Sequence, residues 1–406
     1  MEDTQGLQQQ QQQQLNYEEI IKQKEQQWKE LEEFLNIAYY EPDIEAVKVC
    51  LASYAAHLNT SENPVWIFLL GAPGSGKTEI AIRSLGFLPN VHEIGDLSVN
   101  SLISGFGKGD SGILHNLENN CGYLTFPDFT TFLNKRADDR GEIQGQLRSI
   151  YDGKWSKKVG VHDDILKWKG KVTILAACTP GLEERWGVNH DLGERFMYLR
   201  WREPKDAKAM LLQAVGGLEQ REGNYKKFRR LVRNYVDVKT LKPNSKLFQR
   251  KIAETRIPDI ALLIAKLRTS IKRDLYSRQI TSIETTEVPT RITFAMWSIC
   301  TGSAFLDRRN SLESKDLQLA YRLGLDSLSK RRWAILHFVA SQPHGECPLI
   351  TVREGLSIPK STFKQIVEEL LALKLIRLYK LADEKQVLET DPDTLSTLKA
   401  GHFIGQ

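Results

Sequence analysis

The sequence has no long hydrophobic run and few cysteines, and each of these shortages argues against a class of protein. Its longest apolar stretch, residues 65–70, is far shorter than the roughly 20 residues that a membrane-spanning helix needs. The N-terminus shows no charged start followed by an apolar run and a cleavage site. The five cysteines have no C-x-x-C spacing, which argues against a disulfide framework or a zinc site. We therefore expect a cytoplasmic protein with no membrane partner.

The chain has ordinary globular composition and enough length for more than one core. It contains 406 residues, of which 41% are hydrophobic and 26% are charged, so two or three domains fit the length. A net charge of +5 permits a nucleic-acid partner without requiring one.

The N-terminal part begins with a polar low-complexity segment. Residues 1–15 are dominated by glutamine, and we expect a disordered tail because such a segment buries too little apolar surface to offset its ordering entropy. Residues 17–35 repeat apolar positions at helical spacing and predict an amphipathic helix, which either packs on its own domain or serves oligomerisation or a partner. Asp43 is placed to cap a second helix over residues 44–58.

Three further regions follow, each with its own pattern. Residues 64–202 alternate short apolar runs with helical stretches, which is typical of an α/β domain with a buried parallel sheet. Residues 203–329 are almost purely helical in period. Residues 330–406 give a helix, a short helix, a longer helix and two strands, a winged-helix pattern. The α/β strands are predicted at residues 65–70, 91–94, 123–126, 172–177 and 196–199, and the helices between 203 and 329 at residues 260–273, 291–306 and 314–329.

The strongest motif follows the first predicted strand and matches G-x-x-x-x-G-K-[ST]. Its glycines let backbone N–H groups curl around phosphates, Lys77 reaches the β- and γ-phosphate oxygens, and the Thr78 hydroxyl coordinates Mg²⁺. We expect ATP and Mg²⁺ as ligands. The nucleotide-binding residues predicted are Gly71, Ala72, Pro73, Gly74, Ser75, Gly76, Lys77, Thr78 and Glu79.

From this motif onward the sequence resembles the AAA+ P-loop ATPases, in particular the branch that contains the minichromosome maintenance helicases. The resemblance covers roughly residues 67–329 and implies an AAA+ nucleotide-binding domain with a helical lid. The segment G-Y-L-T-F-P-D that ends at Asp128 resembles the second acidic motif of the family. It departs from that motif, because Pro127 stands where the family has its magnesium-associated Asp. The single carboxylate of Asp128 is left either to bind the metal or to orient the attacking water.

The resemblance implies three further catalytic residues. Thr179 corresponds to the polar sensor-1 position, and Arg195 in the L-G-E-R-F run corresponds to the arginine that reaches a neighbouring subunit's nucleotide. Arg291 fits the sensor-2 arginine of the lid, with Arg256 as the alternative. An arginine supplied by a neighbour implies a homo-oligomer, either a ring or a filament.

Two basic segments are candidates for nucleic-acid contact. Residues 151–171 predict a β-hairpin like the one that faces DNA in the related helicases; Trp155 or Trp168 would stack on a base, or alternatively both pack on the domain. The third helix of the winged-helix pattern presents polar residues at its start, although such modules also bind proteins. The candidate contacts are Lys154, Trp155, Lys157, Lys158, Lys167, Lys169, Lys360, Ser361, Thr362, Lys364 and Arg377.

The sequence therefore predicts an AAA+ ATPase that hydrolyses ATP at subunit interfaces and acts on DNA as a helicase, translocase or remodelling factor. Two alternatives remain at this point. One is an ATP-gated DNA-binding regulator or scaffold with little turnover, which Pro127 favours. The other is an ATPase that acts through a protein docked on the winged helix.

Overall fold

The chain falls into two structural units. The computed structural model describes residues 2–59, 63–102, 112–158, 165–182, 195–241, 255–274, 276–381, 384–401 and 403–404, excluding the side chains of residues 2–15, 133, 157, 158, 165 and 166. Unit 1 comprises Met1–Gln249 and Trp297–Ala320, and unit 2 comprises Arg250–Met296 and Tyr321–Gln406. This division cuts through residues 203–329, and the domain boundaries predicted from the sequence stay predictions.

Unit 1 is built on a parallel five-stranded sheet with the order β2-β3-β6-β1-β7, next to a separate antiparallel hairpin of β4 and β5. All five predicted strands are confirmed, and β1 is buried along its whole length, as expected of a strand covered on both faces. The strands are β1 Trp66–Leu70, β2 Val91–Glu93, β3 Cys121–Phe126, β4 Lys154–Lys158, β5 Ile165–Lys169, β6 Lys171–Cys178 and β7 Phe196–Arg200.

Helices flank this sheet, so the α/β class predicted for this region is confirmed. The expected capping by Asp43 is also confirmed, because its Oδ1 accepts a hydrogen bond from Ala46 N at 3.1 Å. The helices are α1 Glu2–Ala38, α2 Ile44–Asn59, a π-helical turn Thr78–Ile82 that continues as α3 Arg83–Gly86, α4 Thr130–Leu133, α5 Ala137–Tyr151, α6 Ala207–Gly216 and α7 Arg221–Val236.

The glutamine tract, for which the sequence predicts a disordered tail, lies within a helix of the structure. Helix α1 begins at Glu2 and includes the whole glutamine tract. Glutamine is a good helix former because its unbranched side chain loses little rotamer freedom in a helix, so the tract extends the amphipathic helix that follows it.

Helix α1 packs on α7 of its own unit. The rings of Trp28 and Tyr235 lie 5.2 Å apart, and those of Phe34 and Phe228 lie 5.8 Å apart. Lys24, which interrupts the apolar stripe, is buried and donates to the carbonyl oxygen of Tyr235 at 3.1 Å. A cation at the C-terminus of α7 satisfies carbonyl groups that the helix leaves unpaired. These contacts favour the interpretation of α1 as part of its own domain.

A buried ionic network joins α2 to the segment after Leu306. Lys48 donates to Asp307 at 2.9 Å, and Tyr235 donates to the same carboxylate at 2.7 Å. Arg309 bridges Asp307 at 3.0 Å and Asp316 at 2.7 Å. Although burial acts to raise it, the pKa of Asp307 is held well below its usual range by the Lys48 charge and by these hydrogen bonds.

Unit 2 contains helices, a two-stranded hairpin and a three-stranded antiparallel sheet with the order β10-β12-β11. The helices and the two strands predicted after residue 330 are confirmed, and β10 is an additional strand. Helix α9 begins in unit 2 and ends in unit 1, and α10 begins in unit 1 and ends in unit 2. The elements are α8 Ile257–Arg268, β8 Ile271–Arg273, β9 Ile280–Ile283, α9 Thr290–Leu306, α10 Ser314–Asp326, α11 Lys330–Ala340, β10 Glu346–Pro348, α12 Leu349–Gly355, α13 Lys360–Ala372, β11 Ile376–Lys380, β12 Gln386–Thr390 and α14 Pro392–Ala400.

The predicted helix over residues 260–273 is wrong at its C-terminal end. Helix α8 stops at Arg268, because Thr269 adopts ψ 127° and its hydroxyl donates to the carbonyl oxygen of Ala265 at 3.0 Å. The chain then enters β8 and pairs with β9. The region before residue 329 is therefore not purely helical. No helix among the described residues is both long and apolar enough to cross a membrane.

Candidate nucleotide site and basic surfaces

The glycine-rich loop lies where β1 ends and the helical turn at Thr78 begins. Gly74 has φ 76° and Gly76 has φ 86°, in the left-handed region that a side chain disfavours. A Cβ on Gly71 would lie 2.9 Å from Cβ of Trp201, so the backbone passes close to the chain that follows β7. The loop therefore has the shape that needs glycine at these positions, and it opens at a helix N-terminus.

Lys77 lies folded against this loop. Its side chain is buried, and Nζ donates to the carbonyl oxygens of Gly71 at 2.9 Å and Ala72 at 3.0 Å. The hydrogen-bond partners of this ammonium group are carbonyl oxygens, and it forms no ion pair with a carboxylate among the described residues. Burial lowers the pKa of Lys77, an effect that the carboxylates of Asp128 and Glu203 partly oppose. A buried cation without an ion-pair partner is suited to meet an anion such as a phosphate.

Ser75 adds an unused polar atom to the loop. Its Oγ is buried and has no hydrogen-bond partner among the described residues. Its carbonyl oxygen accepts a hydrogen bond from Trp201 Nε1 at 2.9 Å, which fixes the backbone at this position. An orphaned hydroxyl inside a glycine-rich loop is available to a ligand that supplies an acceptor.

Asp128 lies at the same edge of the sheet, because β3 and β1 are parallel and both end there. Phe129, the next residue, is buried, and its N–H donates to Ala177 O of β6 at 2.9 Å. These contacts hold the backbone next to Asp128 in place. Asp128 itself is exposed, and its Oδ1 accepts from Thr130 N at 2.8 Å at the start of α4. The Thr78 hydroxyl donates to Pro127 O at 3.5 Å, which brings the loop next to the acidic motif.

Thr179 follows β6, the strand between β3 and β1. The carbonyl oxygen of Cys178 accepts from Gly71 N at 3.1 Å, so the residue before Thr179 is bonded to the start of the glycine-rich loop. The structure thus brings Lys77, Thr78, Asp128 and Thr179 to one edge of the sheet.

Sequence reasoning missed Glu203. Its Oε1 accepts from Ala72 N at 3.1 Å, and with Trp201 it joins the end of β7 to the glycine-rich loop. The available signal was a Trp-Arg-Glu-Pro segment after the last predicted strand. That signal required the strand order, which places β7 directly beside β1.

Arg195 lies away from this edge. It precedes β7, whose first residue pairs with Trp66 at the start of β1, so it is about 16 Å down the sheet from the glycine-rich loop. Its guanidinium contacts Asp152 at 3.4 Å and lies 5.7 Å from the centre of the Tyr151 ring. Within one copy of the chain, Arg195 is therefore remote from Lys77.

The two arginines considered for sensor 2 both belong to unit 2. Arg291 is the second residue of α9, which confirms that a helix begins at the predicted place. Arg256 precedes α8, and its Nη1 contacts Asp259 at 3.3 Å. Neither arginine belongs to the unit that carries the glycine-rich loop.

The predicted hairpin at residues 151–171 is confirmed, and it separates its aromatic and basic residues onto two faces. Trp155 and Trp168 are directly paired across β4 and β5 and are buried in the core, so neither ring face is presented to a base. Lys154 and Lys169 are paired on the opposite face, and Lys167 shares that face; all three are exposed. The side chains of Lys157 and Lys158 lie outside the described residues.

Helix α13 presents its first turn to solvent and has a covered C-terminal half. Lys360, Ser361 and Lys364 are exposed and Thr362 is half-buried. Further along the helix, Arg273 of β8 donates to Gln365 O at 2.6 Å and to Glu368 at 2.8 Å. On β11 the exposed Arg377 contacts Asp391 at 3.3 Å.

The family and sequence comparisons gave no match. No protein-family model matches the chain, and no curated protein shows significant similarity to it.

The residues at the sheet edge fit a magnesium nucleotide, although they form no complete metal cage. Among the described residues no group of three or more histidine, cysteine, aspartate or glutamate side chains is arranged to hold a metal. Mg²⁺ usually takes one or two carboxylates together with substrate phosphates and water, so such a cage is not needed. Thr78 and Asp128 carry oxygen atoms that would serve as ligands for such an ion, and the buried Lys77 and Ser75 carry donors that would face phosphate oxygens.

Proposed function

We propose that this chain is a P-loop ATPase of the AAA+ class, binding ATP with Mg²⁺ and acting on DNA. The observation that carries the proposal is the buried Lys77 ammonium inside the glycine-rich loop, at the sheet edge that also carries Asp128 and Thr179. The order β2-β3-β6-β1-β7 reverses direction at β1, and ligands of open parallel sheets bind outside the carboxyl ends of strands at such a point.

In this proposal the loop binds the polyphosphate. The backbone N–H groups around Gly74 and Gly76 surround it, Lys77 exchanges its two carbonyl partners for phosphate oxygens, and Ser75 Oγ gains a partner. Thr78 and Asp128 would hold Mg²⁺, which when bound neutralises charge that develops on the phosphoryl oxygens.

The proposed hydrolysis depends on the hydroxyl of Thr179 to orient the attacking water, and the carboxylate of Asp128 takes this role in the alternative in which it does not bind Mg²⁺. Arg195 is proposed to act on the nucleotide of a neighbouring copy, since about 16 Å of sheet separates it from the loop of its own copy. That role requires a homo-oligomer, in which assembly completes the site. For Arg291 we keep the sensor-2 role that the sequence resemblance implies.

DNA as a partner is supported by the distribution of charge. Lysine and arginine outnumber aspartate and glutamate by 21 to 15 in unit 2, whereas they are outnumbered by 36 to 35 in unit 1. The positive charge of the chain is thus concentrated in the unit that contains α13, whose exposed first turn we propose as a winged-helix contact with DNA. The lysine face of the hairpin is a second candidate contact.

An ATP-gated regulator with little turnover is the second candidate. It is favoured by the acidic motif, since Pro127 offers no carboxylate and Asp128 already accepts a hydrogen bond from Thr130 N. Such a protein would bind ATP and assemble without appreciable hydrolysis.

The test is steady-state ATP hydrolysis with and without single- and double-stranded DNA. Wild type is compared with Lys77→Ala and Asp128→Ala, and with the exposed-lysine control Lys226→Ala. The ATPase proposal expects DNA-stimulated turnover of about 1 s⁻¹ or more that both site variants abolish and the control keeps. Nucleotide binding without turnover would favour the regulator, and no nucleotide binding to wild type would refute both.

A further inference from the structure

Helix α6 is an apolar helix with no buried residue. Leu211 is 60% exposed, Leu212 is 65% exposed and Val215 is 66% exposed, and Leu218 in the following turn is 59% exposed. Single exposed aliphatic residues are ordinary, but three on one helix with a fourth in the turn that follows leave apolar surface that is favourable to bury.

Helix α6 is held in place by hydrogen bonds at its N-terminus and on the face that is turned towards α1. Asp206 caps the helix by accepting from Lys208 N at 2.9 Å. On the inner face, Gln213 Nε2 donates to the carbonyl oxygen of Ile37 in α1 at 2.8 Å. Gln213 is about 100° from Leu212 around the helix axis, so this anchor leaves the apolar face outward.

The apolar face ends in opposite charges. Lys208 precedes Leu212 by four residues, so these two share one face of α6 with Val215; Glu219 follows Val215 by four residues and lies in the turn just beyond the end of the helix. The turn after α6 keeps this path, since Leu218 N donates to Val215 O at 3.2 Å. Lys208 and Glu219 are exposed, and neither forms an ion pair within the described part of the chain.

The order of these residues makes the face complementary to itself. When two such helices pack antiparallel, the register that places Leu212 against Val215 of the second copy also places Lys208 against its Glu219. Both pairs have the same midpoint, between residues 213 and 214. A two-fold axis at that midpoint gives each contact twice, which is the signature of an isologous interface.

We propose that α6 is the surface through which two copies of this chain associate, antiparallel and about a two-fold axis. The leucine and valine side chains supply the apolar area that association buries, and the two Lys208–Glu219 pairs set the register. The inference depends on α6 alone and stands whether or not the chain hydrolyses ATP.

The first test is the mass of the full-length chain without nucleotide, so that no nucleotide-dependent assembly contributes, measured by sedimentation equilibrium over a range of concentrations. We expect a concentration-dependent dimer that Leu212→Asp abolishes. Leu262→Asp, at a leucine of unit 2 that is 52% exposed, is the matched control and should leave the dimer intact. A wild type that stays monomeric, or a dimer that survives Leu212→Asp, would overturn the proposal.

The second test is a charge exchange that only antiparallel self-pairing predicts. Lys208→Glu and Glu219→Lys should each weaken dimerisation by about tenfold, because each places like charges together at both ends. The double variant restores opposite charges and should return the dissociation constant to within about threefold of wild type. Failure of the double variant to recover would exclude this register, and circular dichroism checks that each variant keeps its fold.

Discussion

Acidification from pH 7 to pH 5 is expected to destabilise unit 1 through His57. The imidazole is buried on α2, and its Nδ1 lies 2.9 Å from Thr173 Oγ1 of β6. Burial, with a smaller contribution from the charge of Lys171, lowers the pKa of His57 from 6.5 to about 3. The ring is therefore neutral in the folded protein throughout this pH range.

The sign and size of the effect follow from proton linkage. Between pH 6.5 and pH 3 the unfolded chain binds a proton at His57 that the folded chain does not, so stability falls as the pH falls. The slope approaches 1.36 kcal/mol per pH unit, which gives a loss of about 2 kcal/mol between pH 7 and pH 5.

The assay is urea unfolding of wild type and His57→Gln at both pH values. Glutamine keeps a hydrogen-bonding group near Thr173 and does not titrate, so other titrating groups cancel in the comparison. The difference in unfolding free energy, wild type minus variant, should fall by about 2 kcal/mol on going to pH 5. A difference that stays within about 0.5 kcal/mol between the two pH values would refute the reasoning.

Two further predictions concern the stability of unit 1. Lys48→Met should lower the unfolding free energy by about 1–3 kcal/mol, because the buried Asp307 loses its ammonium partner but keeps Arg309, and urea unfolding measures the loss. Gly170→Ala should also destabilise the protein, because the new Cβ would lie 1.9 Å from Asn120 O. Gly141→Ala in α5 is the matched control: its Cβ would have no atom within 4 Å, and the substitution should stabilise the protein by up to about 1 kcal/mol. Equal melting temperatures for the two glycine variants would contradict the second prediction.

The parts of the fold that were predictable are those whose signal is local. Each buried strand of the parallel sheet is a short apolar run with polar or glycine-containing flanks, and β1 ends directly in the glycine-rich loop. The hairpin of β8 and β9 was missed because its strands have only three and four residues and follow an apolar helix without a break in the pattern. Short polar strands carry little periodicity.

The candidate site was predictable only where one segment carries its own chemistry. Lys77 and Thr78 belong to a motif whose spacing is its signal. Glu203 is 131 residues from Ala72 and reaches it through the pairing of β7 with β1, which no local pattern encodes. For Trp155, the burial of the ring depended on which face of the hairpin meets the core, and alternation alone left both choices open.

If the glycine-rich loop binds a ligand and α6 dimerises, as proposed, the short path between them would couple the two equilibria. Trp201 and Glu203 bond to the loop, and Asp206 caps α6 only three residues after Glu203. Any ligand that alters the Glu203–Ala72 bond acts on the segment that positions α6. Suppose that dimerisation through α6 changes the affinity of the loop for a ligand by some factor. Thermodynamic reciprocity then requires that the ligand change the dimerisation constant by the same factor.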